Sequence, residues 1–234
     1  MSLFEREKMK YNNIIKGRFI KRLNRFVALC EIEGEEVYCH VKNTGRCGEI
    51  LVPDAECYLE KSDNPNRKYT YSLVVVRKGE RLINIDSQAP NKAAAEFLSG
   101  GGIGMELYNL KAEKTFGKSR FDFYFEHNGK EAFLEVKGVT LENDGVVSFP
   151  DAPTERGTKH LNELSDCVKK GYEAYVLFVV QMKGVSHFSP NSITDPDFAE
   201  ALKRAQESGV HIFAYDCFVS ETEMIIKDSV PVIL

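Results

Sequence analysis

Residues 108–141 read YNLKAEKTFGKSRFDFYFEHNGKEAFLEVKGVTL, and this stretch decides the fold. Two short breaks, Gly117-Lys118 and Asn128-Gly129, interrupt it, and both are two-residue hairpin signals. Three strands in an antiparallel meander are therefore expected. A two-residue loop at Gly117-Lys118 sets Glu113 opposite Asp122, and one at Asn128-Gly129 sets Asp122 opposite Glu135. Lys137, two residues past Glu135, falls on the same sheet face. Phe121, Phe123 and Phe125 are expected on the other face against Val136, Leu134 and Ala132. The same register pairs Glu126 with Glu131. Adjacent carboxylates ~5 Å apart repel by roughly 3 kcal/mol at an effective dielectric of ~20, so a divalent metal is the expected counter-charge for Glu113, Asp122 and Glu135. The competing reading is a charged, solvated face.

Around this meander the chain divides. Residues 14–85 carry alternating apolar positions, Ala28, Cys30 and Ile32, then Val37, Cys39 and Val41, with Asn43-Thr44-Gly45-Arg46 as an interruption. Several short strands of this kind suit a small barrel of the oligonucleotide-binding (OB) type. From residue 87 on, helices and strands alternate. A helix capped by Asn91 ends at Gly100-Gly101-Gly102, another starts at Thr154 or Glu155, and Asp195-Pro196 opens a third. Tyr175–Val180 is an unbroken apolar run, the mark of a strand covered on both faces. The expected fold is a two-domain α/β protein: an OB-type β-barrel over residues 1–86 and a mixed α/β domain over residues 87–234.

Composition narrows the function. The chain has 234 residues, 43% hydrophobic and 28% charged, and no apolar run nears the roughly 20 residues of a membrane span. With Glu5, Arg6, Glu7 and Lys8 near its start and no signal-peptide core, a cytoplasmic location is expected. Six cysteines lie far apart without a Cys-x-x-Cys pair, which suits buried thiols better than a zinc site. Net charge is −4, unevenly spread: residues 1–85 hold 16 basic against 12 acidic side chains, and residues 86–234 hold 15 against 23. The first 25 residues hold eight basic and two acidic ones, with Tyr11 and Phe19 interleaved. Such a strip suits phosphates and stacked bases, or a strand edge protected by lysines.

An Asp followed by Glu-x-Lys on successive strands resembles the PD-(D/E)XK, restriction-endonuclease-like nucleases. Asp122, Glu135 and Lys137 are the matching residues, with Phe121 where many members have proline. A fuller match runs through Asn43-Thr44-Gly45-Arg46, Ser119-Arg120-Phe121-Asp122, Glu135-Val136-Lys137 and Phe149-Pro150-Asp151-Ala152-Pro153-Thr154-Glu155-Arg156-Gly157 to His160-Leu161. Those four blocks resemble the sugar fermentation stimulation protein family, with Cys47 where methionine is expected. The resemblance implies a prokaryotic protein with a barrel, a nuclease-like domain, DNA as partner and a link to sugar-catabolism genes.

On that reading Asp122 and Glu135 hold Mg²⁺ or Mn²⁺, and Lys137 acts at the scissile phosphate. Glu113, and more weakly Glu96, are further acids. Arg18, Lys21, Arg22, Arg25, Arg46, Arg120, Arg156, Thr158, Lys159 and His160 are DNA-contact candidates, Arg120 falling opposite Lys137. Three readings stay open: a metal-dependent DNA nuclease, a DNA-binding regulator without turnover, and a module for a small phosphate ligand. Gly100–Gly104 is the sole phosphate-loop candidate, and it follows a helix instead of opening one. The oligomeric state is open, a homodimer among the options.

Overall fold

The computed structural model describes residues 8–117 and 119–234. Glu5, Arg6, Glu7 and Lys118 lie outside the described residues. The first sheet comprises β1 (Ile14–Asn24), β2 (Val27–Ile32), β3 (Glu35–Val41), β4 (Glu56–Lys61), β5 (Tyr71–Lys78) and β6 (Arg81–Asn84), in the order β3-β2-β1-β4-β5-β6. A parallel pairing of β3 with β5 closes five of the strands into a barrel. The thiols of Cys30, Cys39 and Cys57 are fully buried in its core. Gly17 makes one strand crossing possible: a Cβ there would stand 2.6 Å from the Glu31 carbonyl oxygen.

α1 (Ala89–Ser99) leads into β7 (Tyr108–Phe116), β8 (Ser119–His127) and β9 (Lys130–Val139). β10 (Leu141–Asn143) and β11 (Val146–Phe149) follow, then α2 (Glu155–Lys169), β12 (Glu173–Val180), β13 (His187–Pro190), α3 (Pro196–Glu207), β14 (His211–Val219) and β15 (Met224–Ser229). The main sheet runs β15-β14-β12-β9-β8-β7, with β12 parallel to both β9 and β14. α1 covers one face and α2 with α3 the other, so Tyr175, Leu177 and Val179 pack on one side of β12 and Ala174, Val176 and Phe178 on the other. A small sheet of β10, β11 and β13 flanks it; its short strands lack the alternation that marks the others and leave no clear trace in the sequence pattern.

The register of the meander follows the two turns. Phe116 pairs with Ser119 and Phe123 with Leu134. Asn128 and Gly129 both take positive φ, 49° and 75°, as a type I′ turn requires. Glu126 does face Glu131, and the Tyr124 hydroxyl bridges the pair. The β8–β9 pairing stops short of its key residue, however. Phe123 and Phe125 pack under α1, but Phe121 packs in the α2 layer against Phe133, 5.7 Å between ring centroids. The expected single face of three phenylalanines is thus corrected to two. The β8–β9 ladder ends at Phe123–Leu134, and beyond it the Asp122 side chain accepts from the Val136 amide at 2.8 Å, in place of a backbone carbonyl.

Polar contacts bind the barrel to the rest. Lys78 and Arg81 both reach the buried Glu142 carboxylate, at 2.7 and 2.8 Å. The Gln181 amide donates to Asn84 and to the Asp86 carbonyl. The Cys47 amide donates to Asp151 Oδ2 at 2.7 Å. Gly45 lies so close that a Cβ would stand 2.8 Å from that carboxylate oxygen, which accounts for glycine in the Asn43–Arg46 block.

Candidate metal centre

The centre grows from the point where β8 and β9 cease to pair. Asp122 Oδ2 takes the Val136 amide, and Oδ1 accepts from Asn91 Nδ2 at 2.7 Å. Asn91 is therefore not the helix cap; Gln88 holds the N-cap position of α1 and Asn91 lies inside its first turn. Burial and the neighbouring Glu135 charge both push Asp122 above the usual carboxylate range. Glu135 is 4% exposed. Burial alone would raise it, but hydrogen bonds from His160 and Lys137 outweigh that and hold it below its ordinary value.

The two oxygens of Glu135 differ sharply. Oε1 accepts from Lys137 Nζ at 2.6 Å and from His160 Nδ1. Oε2 is buried and has no hydrogen-bond partner. A buried carboxylate oxygen left bare costs about 1–3 kcal/mol or more. Beside a second carboxylate it has the character of a ligand atom for a hard cation. The donor set therefore fits a divalent metal. Among the described residues, no group of three or more His, Cys, Asp or Glu gathers as a metal-holding cluster.

Several expected partners stand elsewhere. Glu113 keeps the expected register, with Ala112 facing Phe123 and Lys114 facing Phe121 on either side of it, but it has a positive φ of 57°, is exposed, and pairs with Arg120 at 3.5 Å. Arg120 consequently answers Glu113 and pairs along β7 with Thr115, not across to Lys137. Glu96, on α1, accepts from the Met9 amide at 3.4 Å. The α1 side chain that does reach the acids is Asn91, whose position in a first helical turn disguised it as a cap.

Arg22 donates to the carbonyls of Asn43, Gly45, Arg46 and Arg25, each at 2.7 Å. Its terminal nitrogens are engaged in shaping a loop. His160 is buried against Glu135 rather than lying on the helix surface. Arg18, Lys21, Arg25 and Arg46 are exposed on the barrel, Arg25 lying 5.9 Å over the Phe26 ring. On α2, Arg156 and Lys159 are exposed. Arg156 Nε donates to His160 Nε2 at 3.4 Å, Lys159 approaches Glu163 at 3.9 Å, and the Thr158 hydroxyl donates to the Thr154 carbonyl.

Residues 20–85 match the SfsA N-terminal OB domain, and residues 88–223 match the sugar fermentation stimulation protein RE domain. The chain belongs to the sugar fermentation stimulation protein family. The homologue from Clostridium beijerinckii is 56% identical over 226 residues, covering 97% of this chain and 100% of its own length. One from Desulfitobacterium hafniense is 54% identical, covering 96% of this chain and 98% of its own. Among solved structures, the SfsA protein of Pyrococcus furiosus in complex with Ca²⁺ superposes with a TM-score of 0.83 at 29% identity, covering 97% of this chain and 98% of that one. The family match and this superposition bear out an OB barrel followed by a mixed α/β domain. No helix among the described residues is long and apolar enough to cross a membrane.

Proposed function

We propose that this family member binds DNA and hydrolyses its phosphodiester bonds with a divalent metal, Mg²⁺ or Mn²⁺, held by Asp122 and Glu135. The observation that carries this reading is Glu135 Oε2, a buried oxygen without a partner beside a second carboxylate. When bound, such a metal lowers the pKa of a coordinated water and offsets charge on the scissile phosphate. The Ca²⁺ in the Pyrococcus furiosus relative is a hard divalent ion of the same kind. Lys137 keeps one positive charge at the acids through its contact with Glu135, where it balances a phosphate oxygen as charge builds. Asn91 and the Val136 amide orient Asp122. Arg18, Lys21, Arg25, Arg46, Arg156 and Lys159 supply exposed cations for the backbone, and the acidic remainder of the surface confines DNA to them.

A second reading is a DNA-binding regulator that keeps this fold without turnover. It is favoured by the tight Lys137–Glu135 ion pair and by the absence of a third acid at the site among the described residues. One experiment separates the two. Wild type, Asp122→Ala and Glu135→Ala are incubated with Mg²⁺ or Mn²⁺ and linear, nicked or single-stranded DNA, and affinity is measured separately in EDTA. Cleavage by wild type alone, with affinity kept by both variants, supports the nuclease. DNA binding without cleavage in any metal supports the regulator. Unchanged cleavage in either variant removes Asp122 and Glu135 from the chemistry.

A further inference from the structure

The block Phe149–His160 does more than start a helix. Thr154 caps α2 by accepting from the Gly157 amide at 3.0 Å. Gly157 has no room for a Cβ, which would lie 2.8 Å from Thr154 Cγ2 and 3.2 Å from Phe198 on α3. The start and depth of α2 are thereby set, and one turn farther on His160 arrives at Glu135. We propose that His160 is a positioning residue for the metal-holding carboxylate, and that Arg156 fixes the proton arrangement by which it acts. The proposal rests on the metal reading of Asp122 and Glu135.

A free glutamate turns easily about its last torsion, which is broad and two-fold, and so presents either oxygen. Here Oε1 receives both Lys137 Nζ and His160 Nδ1, and Oε2 receives nothing. The two donors select Oε2 as the ligand oxygen before any metal arrives. The imidazole is itself held, edge-on to Phe121 at 6.1 Å between centroids and 71° between planes. Its second nitrogen faces Arg156 Nε at 3.4 Å. An arginine nitrogen only donates, so Nε2 is the acceptor and the proton sits on Nδ1, the tautomer that donates to Glu135. Arg156 and His160 are four residues apart, neighbours on one helix face, and among the described residues no carboxylate pairs with Arg156. The chain Arg156–His160–Glu135 thus runs from the exposed surface of α2 to Oε1 of the carboxylate and leaves Oε2 for the metal.

The rival account is that His160 only fills space beside Phe121. Mn²⁺ titration followed by electron paramagnetic resonance of the free ion distinguishes the two, with melting temperature in EDTA as the check on folding. His160→Phe keeps the ring volume and removes the donor. Losing a partner of this kind weakens metal affinity about 10- to 100-fold, and that loss is expected here. His160→Asn sets an amide nitrogen near the Nδ1 position and should recover most of it. His160→Gln sets its amide near Nε2 and should not, so the Asn and Gln pair carries the test even where the Phe variant fails to fold. Arg156→Ala should give a smaller loss, because the tautomer is then free. Wild-type affinity in His160→Phe, or equal losses in Asn and Gln, would overturn the proposal while leaving the metal site standing. No Mn²⁺ uptake by the wild type would instead remove the metal reading, and this inference with it.

Discussion

Asp122→Asn and Glu135→Gln should move the stability of the metal-free protein in opposite directions, although both remove one negative charge. The Asp122 anion is disfavoured by burial and by the Glu135 charge. Two such charges ~5 Å apart at an effective dielectric of ~20 repel by roughly 3 kcal/mol, and Lys137 offsets part of that. Asparagine keeps an oxygen for the Val136 amide, and Asn91 can turn its own amide to accept from the new one. A net gain of about 1 kcal/mol is expected, which for a chain of this size raises the melting temperature by about 2–4 °C. The Glu135 anion is instead the favoured form, held by His160 and Lys137. Glutamine leaves Lys137, 13% exposed, without its counter-ion and removes one charge-assisted hydrogen bond. Loss of such a bond costs about 1.5–3 kcal/mol, so several degrees of destabilisation should follow. Thermal melts in EDTA read both, and Mn²⁺ should then stabilise the wild type alone. Shifts of the same sign in the two variants would refute this account of the charges.

Other outcomes follow from the same structure. Mn²⁺ should bind with a stoichiometry of one per chain, since the charge of two carboxylates matches a single divalent ion; calorimetry showing two equivalent ions would require a further ligand group. Glu56 is held down to about 2, chiefly by hydrogen bonds from Lys16, Tyr58 and Arg77. Its folded pKa lies below its unfolded one, so its contribution is whole above the ordinary carboxylate value, about 4.3, and is lost as pH falls toward 2. Glu56→Gln should flatten the acid limb of a stability–pH curve. Gly17→Ala forces a methyl against a barrel backbone oxygen that cannot step aside, and urea unfolding should show a loss of about 1–3 kcal/mol. Replacing Lys21 and Arg25 by Ala should reduce the salt slope of DNA binding by about 1 for each phosphate that is no longer neutralised. Arg22→Ala should lower melting temperature first, because four carbonyls lose their donor.

Sequence periodicity suffices where geometry is local. The turns at Asn128-Gly129 and after Phe116 set the meander, and the apolar run of β12 reveals a strand covered on both faces. Asp122, Glu135 and Lys137 are readable as neighbours because the turn at Asn128-Gly129 fixes the register as far as Phe123–Leu134, the rung beside them. Glu113 stays in register, between the pairs Ala112–Phe123 and Lys114–Phe121, but pairing arithmetic does not reveal its positive φ or its ion pair with Arg120. Arg22 looks like a phosphate ligand because charge is visible in a sequence and a hydrogen-bond partner is not. His160 and Asn91 reach the acids from helices distant in the chain. Nothing in their local pattern tells a residue aimed at a carboxylate from one aimed at solvent.

The junction near residue 86 looks like a hinge when the chain is written as text, but its contacts describe a weld. Gln181, just past the end of β12, is hydrogen-bonded to Asn84 and Asp86 at the end of the barrel, and Asp151 holds the backbone of Cys47. Each half therefore supplies partners that the other half's interior requires. A chimera that joins this barrel to a relative's second half inherits the geometry only if both sides of every such contact travel together. The heritable unit is the seam, not the domain.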